Sequence, residues 1–353
     1  MHIYVIGTTL SIIFAKLAMN VKPYSALVKS YRMWAVLSFL PLFMISALRY
    51  DVGTDYKAIY EEFFYAINSG GAEFKEFGFN LLNKITYCIV DDPALMFAVV
   101  SLMTLFFMFM AFYQQSVNPS FSIFVFVIGT FYFNTMNQMR QTLAMAIFLY
   151  AMKYIEKRDP IRYFLWILFA FTMHFSAIIY VPIYFLYHFR VNVKLNLMLL
   201  AVVVLSTPIM KIIIRVIISL TPYGWYLDSV YGGAGFSLVQ FVFNLTILYI
   251  LYFCYLHGED VEDKKLNLML HMHFFAVCFA IYSAAIPQSN RLIISMTVVI
   301  PLLVPRALLC IKNMKRRIVI WGIFLFVLIL RFIHDIYIQG WFDVLPYQTI
   351  FAR

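Results

Sequence analysis

Over 353 residues the sequence is 63% hydrophobic, 19% aromatic and only 12% charged, with a mean hydropathy of +0.84. A soluble domain carries about 25% charged residues, so these proportions exclude one and indicate a polytopic membrane protein set in a lipid bilayer. The net charge of +10 does not imply a nucleic-acid partner, because Lys and Arg gather in short loops between apolar runs, where orientation in a membrane accounts for them.

The first apolar run, Met1 to Met19, has no basic stretch before it and no small-residue cleavage site, so it reads as a transmembrane helix rather than a removable signal. Further runs follow at Met33 to Leu48, Ala94 to Tyr113, Ser120 to Met136, Thr142 to Tyr154, Leu195 to Met210, Phe236 to Leu256, Leu266 to Ile286, Leu292 to Ile311 and Ile318 to Ile338. Several fall short of the roughly 20 residues a perpendicular helix needs, so flanking aromatics must complete them. All are expected to be helices. The fold class is therefore all-α, a polytopic transmembrane bundle of about 10–12 spans forming a single domain over residues 1–353. Cys88, Cys254, Cys278 and Cys310 show no CxxC spacing and imply neither a metal site nor a disulfide framework.

Basic loops set the orientation. Lys22, Lys29 and Arg32 mark one cytoplasmic loop, and Lys153, Lys157, Arg158 and Arg162 mark another. Lys264 and Lys265 mark a third, and Lys312, Lys315, Arg316 and Arg317 a fourth, which leaves both termini outside. The acids agree: Asp51, Asp55, Glu61, Glu62, Glu73, Glu76, Asp91, Asp92, Asp228 and Asp343 all fall in outer loops. One stretch breaks the parity, since Arg162, Arg190 and Lys194 all belong inside while the run between them suffices for one tilted span. Two half-helices meeting near His174 satisfy both constraints; one long helix with Arg190 outside is the alternative. A helix restarting at His174 would aim free backbone N–H groups into a cavity, which favours an anion there.

The outer loops span 49–92 and 221–235. The first opens on Arg49-Tyr50-Asp51-Val52-Gly53-Thr54-Asp55-Tyr56, and the spacing of Tyr56, Tyr60, Phe63 and Phe64 predicts an amphipathic surface helix, with Phe77 to Val90 a second. Glycines 232, 233 and 235 give the second loop the composition of a mobile flap. Lys211 and Arg215, one helical turn apart, share a face at the outer interface.

Charges within a bilayer cost about 2.5–3.5 kcal/mol each and ask for a partner or a purpose. Arg140, in Asn137-Gln138-Met139-Arg140-Gln141, and Arg291, in Pro287-Gln288-Ser289-Asn290-Arg291, each stand at the outer start of a helix. Each either snorkels to lipid phosphate or grips a substrate phosphate. Arg331, His334 and Asp335 share one helix face, with Arg331 and Asp335 spaced for a structural ion pair. A neutral His174 in the break is either a packing residue or a proton acceptor. Asp55 is a better carboxylate than Asp51, because Gly53 permits a tight turn that returns it toward the cavity.

The Arg49–Tyr56 stretch, Asn137–Gln141, His174-Phe175-Ser176, Asn290-Arg291 and Leu345-Pro346-Tyr347, in this order over nearly the whole chain, resemble the EpsG family of Wzy-like polysaccharide polymerases. The resemblance implies an inner-membrane glycosyltransferase of GT-C type that joins oligosaccharide repeats carried on undecaprenyl diphosphate at the periplasmic or extracellular face. No cofactor is implied, and the first outer loop has no Asp-x-Asp pattern that would support a metal site. A chain-length regulator is a candidate partner. In the mechanism this suggests, an acceptor hydroxyl attacks the anomeric carbon, and Arg140, Arg291 and Arg49 stabilise the departing diphosphate. His174 or Asp55 takes the proton. Tyr56, Asn137, Gln141, Lys211, Arg215, Tyr231, Asn290, Arg331, Asp335 and Tyr347 are the candidate substrate-binding residues, with Trp225 and Tyr226 as further flat faces for sugar rings.

Three rival readings remain at this level. A flippase for lipid-linked sugars needs charges lining a path through the membrane and usually a repeat, and neither is visible. A membrane O-acyltransferase would also set a histidine and arginines in an apolar bundle, but its donor site belongs on the cytoplasmic side, where only basic loops are found. The third is a structural subunit without activity.

Overall fold

A computed structural model of the chain describes residues 1–22, 27–68, 76–220, 224–227, 235–258 and 262–352. Among them it is all-helical, and seven helices are long and apolar enough to cross a membrane, or eight if one bent pair is a single span. The chain divides into two compact units, residues 1–184 with 328–353, and residues 185–327.

In the first unit, α1 (His2–Val21) packs along α2 (Val28–Ala47), and α5 (Pro93–Gln115) lies against α2 and α8 (Met139–Glu156). The two surface helices expected in the first loop are present as α3 (Tyr56–Asn68) and α4 (Phe77–Ile89). Helix starts follow from local chemistry. Asp92, Asn118 and Asp159 each precede a proline and accept a backbone N–H of the first turn, from Ala94 at 2.8 Å, Phe121 at 3.2 Å and Arg162 at 3.0 Å. A short polar acceptor supplies the missing partner, and the proline that follows has no N–H to satisfy, so α5, α6 (Pro119–Ile128) and α9 (Pro160–Met173) start where the sequence says.

The run Ser120 to Met136 does not make one helix. It breaks at Gly129 and left-handed Thr130 (φ +65°) into α6 and a short α7 (Phe131–Thr135). The run after Pro160 breaks where expected: α9 stops at Met173, His174 is extended, and a 3₁₀ turn at Phe175–Tyr180 leads into the single turn α10 (Ile183–Leu186). The Tyr163 hydroxyl donates to the Tyr180 carbonyl at 2.7 Å. One straight helix would hold those residues about 25 Å apart, so the chain doubles back at His174.

The second unit holds α11 (Val193–Ser219), α12 (Leu238–His257), α13 (Lys264–Ile281), α14 (Ser289–Thr297) and α15 (Ile300–Leu309). Apolar α11 is exposed along nearly its whole length, as a lipid-facing span is, whereas α13 is mostly buried. The expected run Leu292 to Ile311 appears as α14 and α15, bent by 43° ahead of Pro301, whose nitrogen cannot donate to the preceding turn. The division between the units falls inside α16 (Met314–Ile333), which ends in a π turn at His334–Ile338. Fewer helices qualify as spans than the 10–12 expected because several runs are broken, and because α8 carries Arg140, Lys153 and Glu156 within its 18 residues.

Candidate functional site

In the first unit, α8, α3, α4 and the break after α9 bring four ionisable side chains together. Arg140 Nη1, in the first turn of α8, donates to Glu62 of α3 at 2.7 Å and to Glu76 at 2.7 Å. The other Glu76 oxygen meets Nδ1 of His174. Glu76 takes the left-handed conformation (φ +58°) at the N-terminus of α4, and the Phe175 N–H, at the start of the 3₁₀ turn, also donates to its carboxylate. The start of the 3₁₀ turn therefore places a free backbone N–H on this anion. Burial works against that charge, but the His174 hydrogen bond, Arg140 and the Phe175 N–H outweigh it and hold the Glu76 carboxyl below its ordinary value. The anion expected at the helical break is thus a carboxylate of the protein itself.

Accessibility is uneven. The Glu76 and His174 side chains are each 12% exposed, while Arg140 and Glu62 are 34% and 37% exposed. In the neutral tautomer that donates Nδ1–H to the carboxylate, the His174 lone pair is on Nε2, which makes no hydrogen bond among the described residues. The arrangement offers a positioned imidazole base, a carboxylate that orients it, and an arginine whose outer partner is solvent-accessible.

Arg49 lies in the same unit in another role. It is 1% exposed, donates to the Ser46 and Met136 carbonyls at 3.1 and 3.0 Å, and stands 5.1 Å over the Phe97 ring. Burial pulls its guanidinium down to about 10, against the opposing influence of Tyr132, Tyr56, Tyr4 and Tyr347. Its two Nη groups tie the end of α2 to the 136–139 segment, and its Nε, though without a hydrogen-bond partner, is buried where a phosphate does not reach it. Asp55 starts α3, its backbone N–H donating to Asn137 Oδ1 at 3.3 Å, and its carboxylate contacts neither Arg140 nor His174. Asn137 is 5% exposed and also donates to the Phe133 and Phe342 carbonyls, a joint rather than an open ligand. Gln141 is 2% exposed and Tyr56 4%, the latter stacked on Phe97 at 4.5 Å. The Tyr347 hydroxyl donates to the Ile45 carbonyl at 2.9 Å.

Arg331 and Asp335 form the expected ion pair at 2.5 Å, with His334 Nδ1 on the second Asp335 oxygen at 2.9 Å and the Trp341 ring 5.4 Å from the guanidinium. In the second unit Arg291 is half-buried and Asn290 exposed at the start of α14, and Lys211 and Arg215 are exposed on α11. Tyr231, Glu73 and Asp228 lie outside the described residues, as do the side chains of Trp225 and Tyr226. No group of three or more His, Cys, Asp or Glu side chains is placed to hold a metal ion among the described residues.

Glu76 and Glu62 are the members of this cluster that sequence reasoning left among the outer acids. Their signal was available only in part, since two carboxylates in the loop that faces an intramembrane-edge arginine are natural partners for it. Compared with known proteins, the sequence matches the EpsG family over residues 32–349, while no curated protein and no solved structure matches it.

Proposed function

The chain belongs to the EpsG family, and on that premise we propose that it polymerises oligosaccharide repeats carried on undecaprenyl diphosphate, at the outer face of the bacterial cytoplasmic membrane, as a GT-C-type glycosyltransferase. One observation carries the reading: a single half-buried carboxylate, Glu76, joins Arg140 to His174. An acceptor sugar hydroxyl attacks the anomeric carbon of the other chain, the bond from that carbon to the diphosphate oxygen breaks, and the new glycosidic bond forms. His174 Nε2 takes the hydroxyl proton, with Glu76 orienting the ring and balancing the imidazolium that results. Arg140 meets the charge growing on the leaving diphosphate.

As it stands, the cluster sets two carboxylates against one guanidinium. A phosphate reaches Arg140 by displacing the more exposed Glu62, while Glu76 keeps its place. Arg49 and Asp55 belong to the frame of the site in this reading, and His174 is the base. Arg291, with Asn290, Lys211 and Arg215, belongs to the second unit and takes no step in this reading.

The two carboxylates on Arg140 therefore differ in kind, and polymer synthesis from purified lipid-linked repeats tests this. Glu76→Gln and His174→Ala should each lower the rate about 10²-fold or more, since general base catalysis contributes at that scale. Glu62→Gln should keep at least half the wild-type rate. Arg140→Ala should leave no long polymer while the protein still inserts in the membrane. Equal losses in Glu62→Gln and Glu76→Gln would reduce the cluster to a structural network and remove the proposed centre.

A further inference from the structure

Beside the Arg140 cluster, the first unit carries an open cleft of about 420 Å³ that the proposed reaction does not use. That size falls in the range of roughly 300–1,000 Å³ typical of small-molecule sites. Two turns frame it. The turn from α2 into α3 contributes Tyr50 and Asp51, the start of α3 contributes Lys57 and Tyr60, and the turn before α5 contributes Asp91 and Asp92. Asp51 adopts a left-handed conformation (φ +48°), which a short polar side chain tolerates better than most, and Asp92 is the cap of α5. The ring of Tyr56, only 4% exposed and stacked on Phe97 with an interplanar angle of 7°, is the fixed backing against which the more open Tyr50 and Tyr60 rest. Tyr50 meets that ring edge-on at 6.1 Å, Tyr60 lies along it at 6.5 Å, and both are only half-buried.

Flat aromatic faces bordered by hydrogen-bond acceptors suit a sugar ring, whose C–H face packs on an arene while its hydroxyls donate sideways. Charge narrows the choice. The walls hold three carboxylates and one ammonium, Lys57, itself 3.8 Å from Asp51, in a chain whose net charge is +10. Such a surface repels a diphosphate or a uronic acid and accepts a neutral or amino sugar. Helix α3 presents Tyr60 to the cleft and Glu62 to Arg140, so one rigid element serves both places.

We propose that this tyrosine-floored, acid-walled cleft is a saccharide subsite that holds a neutral or amino sugar of the glycan, distinct from the Arg140 centre that meets diphosphate. The assignment rests on the polymerase reading for the identity of its ligand. Its test is binding without turnover. The repeat oligosaccharide freed from its lipid by mild acid is titrated against the purified full-length protein, alongside sugar-free undecaprenyl diphosphate and trigalacturonate. The oligosaccharide should bind the wild type, and Tyr60→Ala and Asp91→Asn should each weaken it at least fivefold. Neither variant should alter binding of the lipid diphosphate, and trigalacturonate should not bind. Asp91 is exposed and outside the core, so Asp91→Asn tests the site without disturbing folding. Wild-type affinity in both variants, no oligosaccharide binding by the wild type, or equal binding of trigalacturonate overturns the subsite. Tyr60-dependent sugar binding in a protein that makes no polymer from lipid-linked repeats would instead sink the polymerase reading and leave the subsite standing.

Discussion

A guanidinium that is 1% exposed and held by backbone carbonyls does different work from one that is a third open, and the two arginines of the first unit divide on that difference. Removing Arg49 would strand the Ser46 and Met136 carbonyls in a region closed to water and empty the space over Phe97. Arg49→Ala should therefore cost about 1–3 kcal/mol of stability, read as a lower melting temperature in detergent, and lose activity only in step with that instability. Arg140→Ala should melt close to wild type, since its partners Glu62 and, at the edge, Glu76 can rehydrate. An Arg49→Ala protein as stable as wild type but inactive would return Arg49 to the reacting centre. The residue scale also explains why the proposed mechanism takes His174 rather than Asp55 as the base. Gly53 does permit the tight turn (φ +116°), but the turn delivers the Asp55 backbone N–H to Asn137 rather than its carboxylate to the cluster.

Between elements, the reach of Glu76 to His174 depends on how closely α4 approaches α9. Gly78, the second residue of α4, makes that approach: a Cβ there would come within 2.5 Å of Thr172 Oγ1 and 2.6 Å of Met173 Cε, next to His174. Gly78→Ala should thus push the helices apart, cost about 1–3 kcal/mol and lower polymer synthesis by more than the stability loss explains. Gly322→Ala, where the added carbon meets nothing within 4 Å, is the matched control and should leave synthesis unchanged. Equal behaviour of the two variants would show that the helix contact does not position the cluster. The same scale accounts for the helical break itself. His174 is extended and its carbonyl starts a tighter turn, so the backbone N–H of Phe175 is released from the α-helical ladder and becomes available to Glu76.

Across the first unit as a whole, residues distant in sequence close on one another. The Tyr50 N–H donates to the Gln348 carbonyl at 3.0 Å, the Gly53 N–H to Asp343 at 2.9 Å and the Tyr4 hydroxyl to Val344 at 3.1 Å, so the 343–349 segment is bonded along the first outer loop. Helices α5 and α8 both run from this end to an opposite end where Lys153 donates to Gln114 at 2.8 Å. If the basic loops are cytoplasmic, as the proposed function requires, the Arg140 end faces outward. A cysteine at Lys57 should then react with a membrane-impermeant maleimide in intact cells, and one at Lys157 only after permeabilisation. The reverse pattern would place the proposed chemistry on the wrong side for lipid-linked repeats.

The sequence by itself determined what depends on composition and local chemistry. Apolar runs gave the helices, and the basic residues flanking the His174 run favoured a chain that doubles back there over one long helix with Arg190 outside. It also singled out Arg140 and His174, because a polar group at a helix end in a membrane is costly enough to stand out alone. Only the tertiary structure decided which polar groups meet. Glu76 and Glu62 lie in a loop rich in acids where nothing local distinguishes them, and they acquire meaning when α3 and α4 fold over the first turn of α8. Arg49 looked equivalent to Arg140 for the same reason, since burial and hydrogen-bond partners are properties of packed neighbours nearly ninety positions away, and no pattern within eight residues encodes them.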